Sequence, residues 1–172
     1  MARKGDALLA LSLVTEIRER YNLSCPVNLD DLAEKLGIDV YFRPFSEEID
    51  GFYLTLPGMK PVIAVNNIPS KSPRRRRFTL AHEIGHHMLA GRTSGALLIG
   101  YDTRNAKDTA TERTCDLFAS ALLMPEDEVR RRFNGSAASV ADYFEVSEAA
   151  AESRLLELKL IKRQSIGFRR NK

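Results

Sequence analysis

The chain has no tryptophan, only two cysteines and only three histidines in 172 residues. Two cysteines exclude a disulfide scaffold and suit a reducing compartment better than a stapled secreted fold. With so little histidine, a metal site built from it has to be economical. Long apolar runs are also missing, and none approaches the ~18 residues of a membrane span. The run Ala7 to Val14 follows Arg3 and Lys4 in the manner of a short signal peptide, yet no small-residue cleavage site follows and Glu16, Arg18, Glu19 and Arg20 come at once. Leu9, Leu13 and Ile17 recur every four residues, the spacing of one apolar helix face. The expectation is a cytoplasmic protein with no membrane segment.

A charge excess is lacking as well. Lys plus Arg number 26 against 23 for Asp plus Glu, a net +3, too little to mark the whole chain as nucleic-acid binding. What is present is globular composition, 44% hydrophobic and 28% charged, at the length of one ordinary domain.

Helix signals dominate the chain. The pattern predicts a helix from about Asp6 to Tyr21, then a short one from Asn28 or Leu29 through Leu36, stopped by Gly37. Strands are expected over Ile38–Phe42, Ile49–Leu56 and Pro61–Asn66, with Pro57-Gly58 as the turn between the last two. Ser72-Pro73 starts a helix that carries Arg74 to about Ala90. After a loop, further helices are expected from about Thr109 to Leu123, from Pro125, from Ser136 to Phe144 and from Ser147 to Leu160. The fold class is α+β, with a small, mainly antiparallel three-stranded sheet packed on the helix that follows it.

The chemistry concentrates in His82-Glu83-Ile84-Gly85-His86. Residues four apart share a helix face, so His82 and His86 can hold one zinc ion together. Glu83 is rotated about 100° from His82, beside the metal rather than on it, where it can take a proton from the water that zinc activates. Gly85 and Ala81 allow another element to approach closely. Two histidines can fall at this spacing by accident, but all three histidines of the chain lie within residues 82–87, inside a well-capped helix.

A catalytic zinc needs a third protein ligand. One large protease class places Gly and His three and six residues after the second histidine; here those positions are Leu89 and Arg92. His87 turns away from His86 on the helix and is a poor ligand. The third ligand is therefore a carboxylate or Cys115. Glu112 is the best candidate, with Asp116 one turn later on the same face to hold a ligand histidine by its other ring nitrogen. Cys115 reads as a small buried apolar residue, and Asp102 and Asp108 are weaker candidates. Tyr101 and His87 are the suggestive oxyanion or substrate contacts near the motif.

Arg77 to His86, followed by Glu112-x-x-Cys115-Asp116-x-Phe118-Ala119-x-x-Leu122-Leu123-Met124-Pro125, resembles the ImmA/IrrE family of zinc metallopeptidases, gluzincin-like in having a glutamate as third ligand. The segment Val27 to Ile38, the strand ending in Asn66 and the tail Val140 to Ile161 resemble family features more weakly. The resemblance implies one zinc per chain on His82, His86 and Glu112, with Glu83 as general base. Asp116 stands where the family usually has Asn, or where related glutamate-ligand proteases have a histidine-orienting Asp. Met124 and Pro125 are family markers with an implied structural role under the site. The implied partner is a helix-turn-helix repressor whose cleavage derepresses a mobile element or a stress response. Residues 1–135 would be the peptidase domain. Residues 136–172 would be helix-turn-helix-like helices and a basic tail, packed on it as one compact unit.

Thirteen of the 26 basic residues sit in three places: Arg74 to Arg77, Arg130 to Arg132, and six from Lys159 onward. Four consecutive arginines cover a full helical turn and cannot all face one partner. A DNA-reading tail would present the start of its second helix, which carries Glu148 and Glu152, with Arg154 its first basic residue. Acids facing phosphates are unfavourable, so packing or substrate docking is preferred there. The alternative is a non-catalytic regulator that binds DNA or a repressor through the tail, with structural zinc.

Overall fold

The computed structural model describes residues 4–90, the backbone of 99–103, and residues 109–162. Its elements are α1 (Lys4–Tyr21), α2 (Leu29–Lys35), β1 (Asp39–Arg43), β2 (Ile49–Leu54), β3 (Val62–Asn66), α3 (Pro73–Ala90), β4 (Ile99–Thr103), α4 (Ala110–Leu123), α5 (Glu126–Arg132), α6 (Ala137–Phe144) and α7 (Glu148–Glu157). The class is α+β, as expected.

Local chemistry sets most element ends. Asn28 Oδ1 accepts from the Asp31 amide at 3.1 Å, and Gly37 beyond α2 takes φ +72°, where only glycine is unstrained. Ser72 Oγ accepts from the Arg75 amide at 3.2 Å, and Pro73 opens α3. Ser136 and Ser147 cap α6 and α7 in the same way.

The sheet has four strands in the order β1-β3-β2-β4. β2 runs antiparallel to β3 and to β4, with Gly51 opposite Val65 and Asp102. β1 pairs with β3 in parallel, Asp39 opposite Val62. The three expected strands are thus present and the pairing is mainly antiparallel, with two departures. β4 adds an edge strand in a stretch read as loop. β3 also inserts between β1 and β2, which makes one pairing parallel. Short links suggest hairpins, but here the β1–β2 link carries the chain past a strand position filled later. Asn66, fully buried at the end of β3, holds that link: its Nδ2 donates to Ser46 O at 2.9 Å and Ile49 O at 2.7 Å, and its Oδ1 accepts from the Phe45 amide at 3.1 Å.

α3 lies at the centre, against α4 on one side and β2 and β3 on the other, while α1 backs α4. The shared core includes Leu13, Ile17, Tyr53, Ile63, Ile84, Phe118 and Leu122. α6 and α7 join the same core through Val140, Phe144, Val146, Ala151 and Leu155. Among the described residues, no helix is long and apolar enough to cross a membrane.

The arginines of α3 part company as the helix geometry requires. Arg74 reaches Asp142 at 2.6 Å, Arg75 reaches Asp50, and Arg77 donates to Val27 O at 2.6 Å. In the tail, Arg154 is only 2% exposed; its Nε donates to Met124 O at 3.0 Å and caps the end of α4. It is therefore out of reach of a phosphate, while Glu148 and Glu152 stay exposed. Met124 and Pro125 sit buried at this junction, in keeping with a structural role. Lys159 and Lys162 are exposed, whereas Arg163, Arg169, Arg170 and Lys172 lie outside the described residues.

Candidate metal centre

His82 and His86 stand one turn apart on the buried face of α3, and their Nε2 atoms approach to 3.2 Å. Glu112 comes from the first turn of α4. Thr109 caps that helix by accepting from the Glu112 amide at 3.1 Å, and Arg113 pairs with Asp6 of α1 at 3.1 Å, which anchors the same turn. The Glu112 carboxylate then spans the two imidazoles, with Oε2 at 3.3 Å from His82 Nε2 and Oε1 at 3.5 Å from His86 Nε2. Burial alone would raise the Glu112 carboxyl, but hydrogen bonds from His82 and His86 outweigh it and hold the group at about 2. Its place in the first turn, at the positive end of the helix, acts in the same direction.

The approach of α4 depends on Gly85. A Cβ there would stand 3.1 Å from Phe118 Cδ1 and 3.3 Å from Cys115 Cα, tighter than ordinary packing. Asp116, 62% exposed on its side chain, places Oδ1 3.0 Å from His82 Nδ1 and so fixes the ring that presents Nε2 to the cluster. Glu83 is 0% exposed. Its Oε1 lies 3.4 Å from where a Cβ on Gly51 would be, and that same Cβ would meet Thr79 Cγ2 at 2.6 Å. A glycine at position 51 of β2 is thus what lets α3 settle on the sheet with Glu83 between them. Sequence reading missed Gly51, because nothing in its neighbours announces the helix that will cover it.

The donor set fits zinc. Ligands about 2.0–2.1 Å from a tetrahedral zinc stand about 3.3 Å apart, close to the separations among His82, His86 and Glu112. Among the described residues, ligand atoms of His82, His86 and Cys115 also lie within 4.8 Å of one another. Cys115 is buried against the Gly85 face of α3.

The other candidates are placed differently. His87 Nδ1 meets Tyr53 Oη at 3.2 Å, with the rings edge to face, beside Ile17 and Tyr21 of α1. Burial pushes this imidazole down, which favours its neutral form. Tyr101 and Asp102 pair through their backbones with Phe52 and Gly51 on β2; their side chains, Asp108 and Arg92 lie outside the described residues.

The profile of the IrrE N-terminal-like domain, peptidase family M78, matches residues 33–156. The chain belongs to this family. The match reaches from α2 into α7 and takes in both halves of the metal cluster. The chain is 33% identical over 127 residues to the radiation response metalloprotease IrrE of Deinococcus radiodurans, an alignment covering 71% of this chain and 37% of that protein. It is 33% identical over 128 residues to the radiation response metalloprotease IrrE of Deinococcus deserti, covering 71% and 43%. The chain spans about two fifths of the length of these curated relatives.

Proposed function

We propose that the chain is a zinc-dependent endopeptidase. It cleaves a cytoplasmic protein, a helix-turn-helix repressor, and so derepresses a mobile-element or stress-response regulon. The observation that carries the reading is the convergence of His82 Nε2, His86 Nε2 and both Glu112 oxygens, with buried Glu83 following His82 in the chain. Both relatives are named for a radiation response, which supports the stress-response branch. In this reading residues 1–135 are the peptidase unit and 136–172 the helix-turn-helix-like helices and basic tail, with α6 and α7 joined to the common core.

His82, His86 and Glu112 would hold the zinc, and Asp116 would orient His82. When bound, zinc supplies a Lewis acid that polarises the peptide carbonyl and lowers the pKa of water to about 7. Glu83 takes a proton from the attacking water and passes it to the leaving amine. Gly51 leaves space for the Glu83 carboxylate between α3 and β2, since a Cβ on Gly51 would stand 3.4 Å from Glu83 Oε1. The exposed acids and buried Arg154 of α7 support a docking or packing role for the tail rather than DNA reading.

The test is twofold. Metal analysis of protein purified without chelators is expected to find about one zinc per chain, in line with a three-ligand site. The Glu83→Gln variant is expected to keep that zinc, to lose cleavage, and to capture an intact repressor from cells. Zinc-free protein, or full cleavage by Glu83→Gln, overturns the proposal.

A further inference from the structure

Glu112 stands in the least secured part of its helix. The first four amides of a helix have no partner within it, and α4 starts at Ala110, just before Glu112. Cys115, Phe118 and Leu122 seat the later turns in the core, so the first turn has to be held by its own side chains. Thr109 secures the Glu112 amide, and Thr114 Oγ1 donates to Ala110 O at 2.8 Å. Arg113 ties the turn to a different helix: its Nε donates to Asp6 Oδ2, in the first turn of α1, at 3.1 Å. The pair is mostly enclosed, with side chains 22% and 14% exposed, so salt screens it less than a surface pair. α4 packs on both α3 and α1. Glu112 reaches the histidines of α3, while Arg113, rotated by about 100°, reaches α1. The roll of α4 about its own axis is thereby fixed from two sides. Side-chain ends stand about 5–6 Å from a helix axis, so a roll of about 10° moves the Glu112 oxygens by about 1 Å. That is several times the ~0.2 Å tolerance of a metal–ligand distance.

We infer that Asp6 and Arg113 are positioning residues of the metal centre: their ion pair sets the roll of α4 and so presents the Glu112 carboxylate to His82 and His86. The inference rests on the reading of Glu112 as a zinc ligand. α1 precedes the stretch matched by the family profile, so the brace comes from outside the matched domain. Neither residue joins the ligand set. Losing the pair leaves that set complete in composition and loosens its geometry. The expected cost is about tenfold in zinc affinity, the lower end of what a residue orienting a ligand contributes.

The experiment titrates the metal-free full chain with zinc against a chromophoric chelator, and with cobalt(II), whose visible bands report coordination geometry. Asp6→Asn keeps the shape of the side chain and removes its charge. It is expected to bind zinc about tenfold more weakly and to change the cobalt bands, with the circular dichroism spectrum unchanged. Arg113→Met should do the same, and the double variant should be no worse than either alone, because both remove one interaction. A merely stabilising pair would not respond to the last control. In a Glu112→Ala background no carboxylate remains to be positioned, and Asp6→Asn should then leave zinc affinity unchanged. Wild-type affinity in Asp6→Asn, or an equal loss in the Glu112→Ala background, overturns the inference. Metal binding is read without any substrate. The expected loss of affinity in a chain that cleaves nothing therefore leaves the brace standing and sinks the peptidase proposal instead.

Discussion

Two polar clusters are buried on the same helix, and they are built on opposite principles. Towards the start of α3, Asp50 is gripped by Lys71 and by Arg75, whose Nε donates to Asp50 Oδ1 at 3.0 Å, and Lys71 Nζ also donates to Glu47 O at 2.8 Å. Opposite charges close on one another there, and the cluster ties the start of β2 to the start of α3. Further along α3, His82, His86 and Glu112 bring lone pairs together, and their separations match a tetrahedral ion. Burial of charge alone therefore does not mark a functional site. The first cluster is complete with its own residues; the second has the composition of a ligand set. Removing a member of the first should cost stability, and removing a member of the second should cost metal or activity.

The largest effect is expected from Glu83→Gln. Cleavage should fall by about 10²–10⁴-fold, the usual worth of a general base, while zinc content stays at the wild-type level in metal analysis. Equal loss of zinc would move Glu83 from base to ligand. Next, Lys71→Met removes one cation from a buried pair and should destabilise the fold by about 3 kcal/mol, read by urea unfolding, with zinc affinity held. If zinc affinity collapsed with stability, the two clusters would be a single unit.

Asp116→Ala should weaken zinc binding by about 10–100-fold, the scale of losing a partner that orients a ligand histidine, with melting of the metal-free protein nearly unchanged. The same titration separates the third-ligand candidates. Glu112→Ala should weaken zinc far more than Cys115→Ala, and the reverse order would assign the thiol. The smallest effect concerns acid. Burial alone would raise the Asp50 carboxyl, but its bonds from Arg75 and Lys71 prevail and hold it below its ordinary value. A depressed folded-state pKa contributes stability above the unfolded value of about 3.9, lost as pH falls through the folded one. Thermal melts below about pH 4 should lose stability steeply in the wild type and less so in Lys71→Met, whose Asp50 is less depressed.

Legibility in the sequence followed the range of the interactions. The helix ends were readable because Asn28, Ser72, Ser136 and Ser147 act on amides a few residues away. The facing of His82 and His86 was readable because α-helical periodicity is local. The pairing of Asp116 with His82 could be anticipated only as a spacing on α4; the 3.0 Å contact depends on where α4 docks. β4 was hidden because Ile99–Thr103 becomes a strand by pairing with β2, a partner far away in the chain. Arg154 looked like a surface cation on a candidate recognition helix, and its burial under Met124 O follows from the packing of α7 on the end of α4.

The sequence by itself determined the scarce and concentrated histidine, the i and i+4 pair with its adjacent glutamate, the capped helices and the family resemblance. All of these are properties of a few neighbouring residues and of backbone periodicity. The tertiary structure decided which acid of α4 faces the imidazoles, and it placed β3 between β1 and β2. It also decided that Gly51 and Gly85 let the sheet and α4 close on α3, and that Arg113, next to Glu112, reaches Asp6 of α1. Each of these depends on the approach of segments far apart in the chain. That approach is set by the fit of the whole core, which no local pattern encodes.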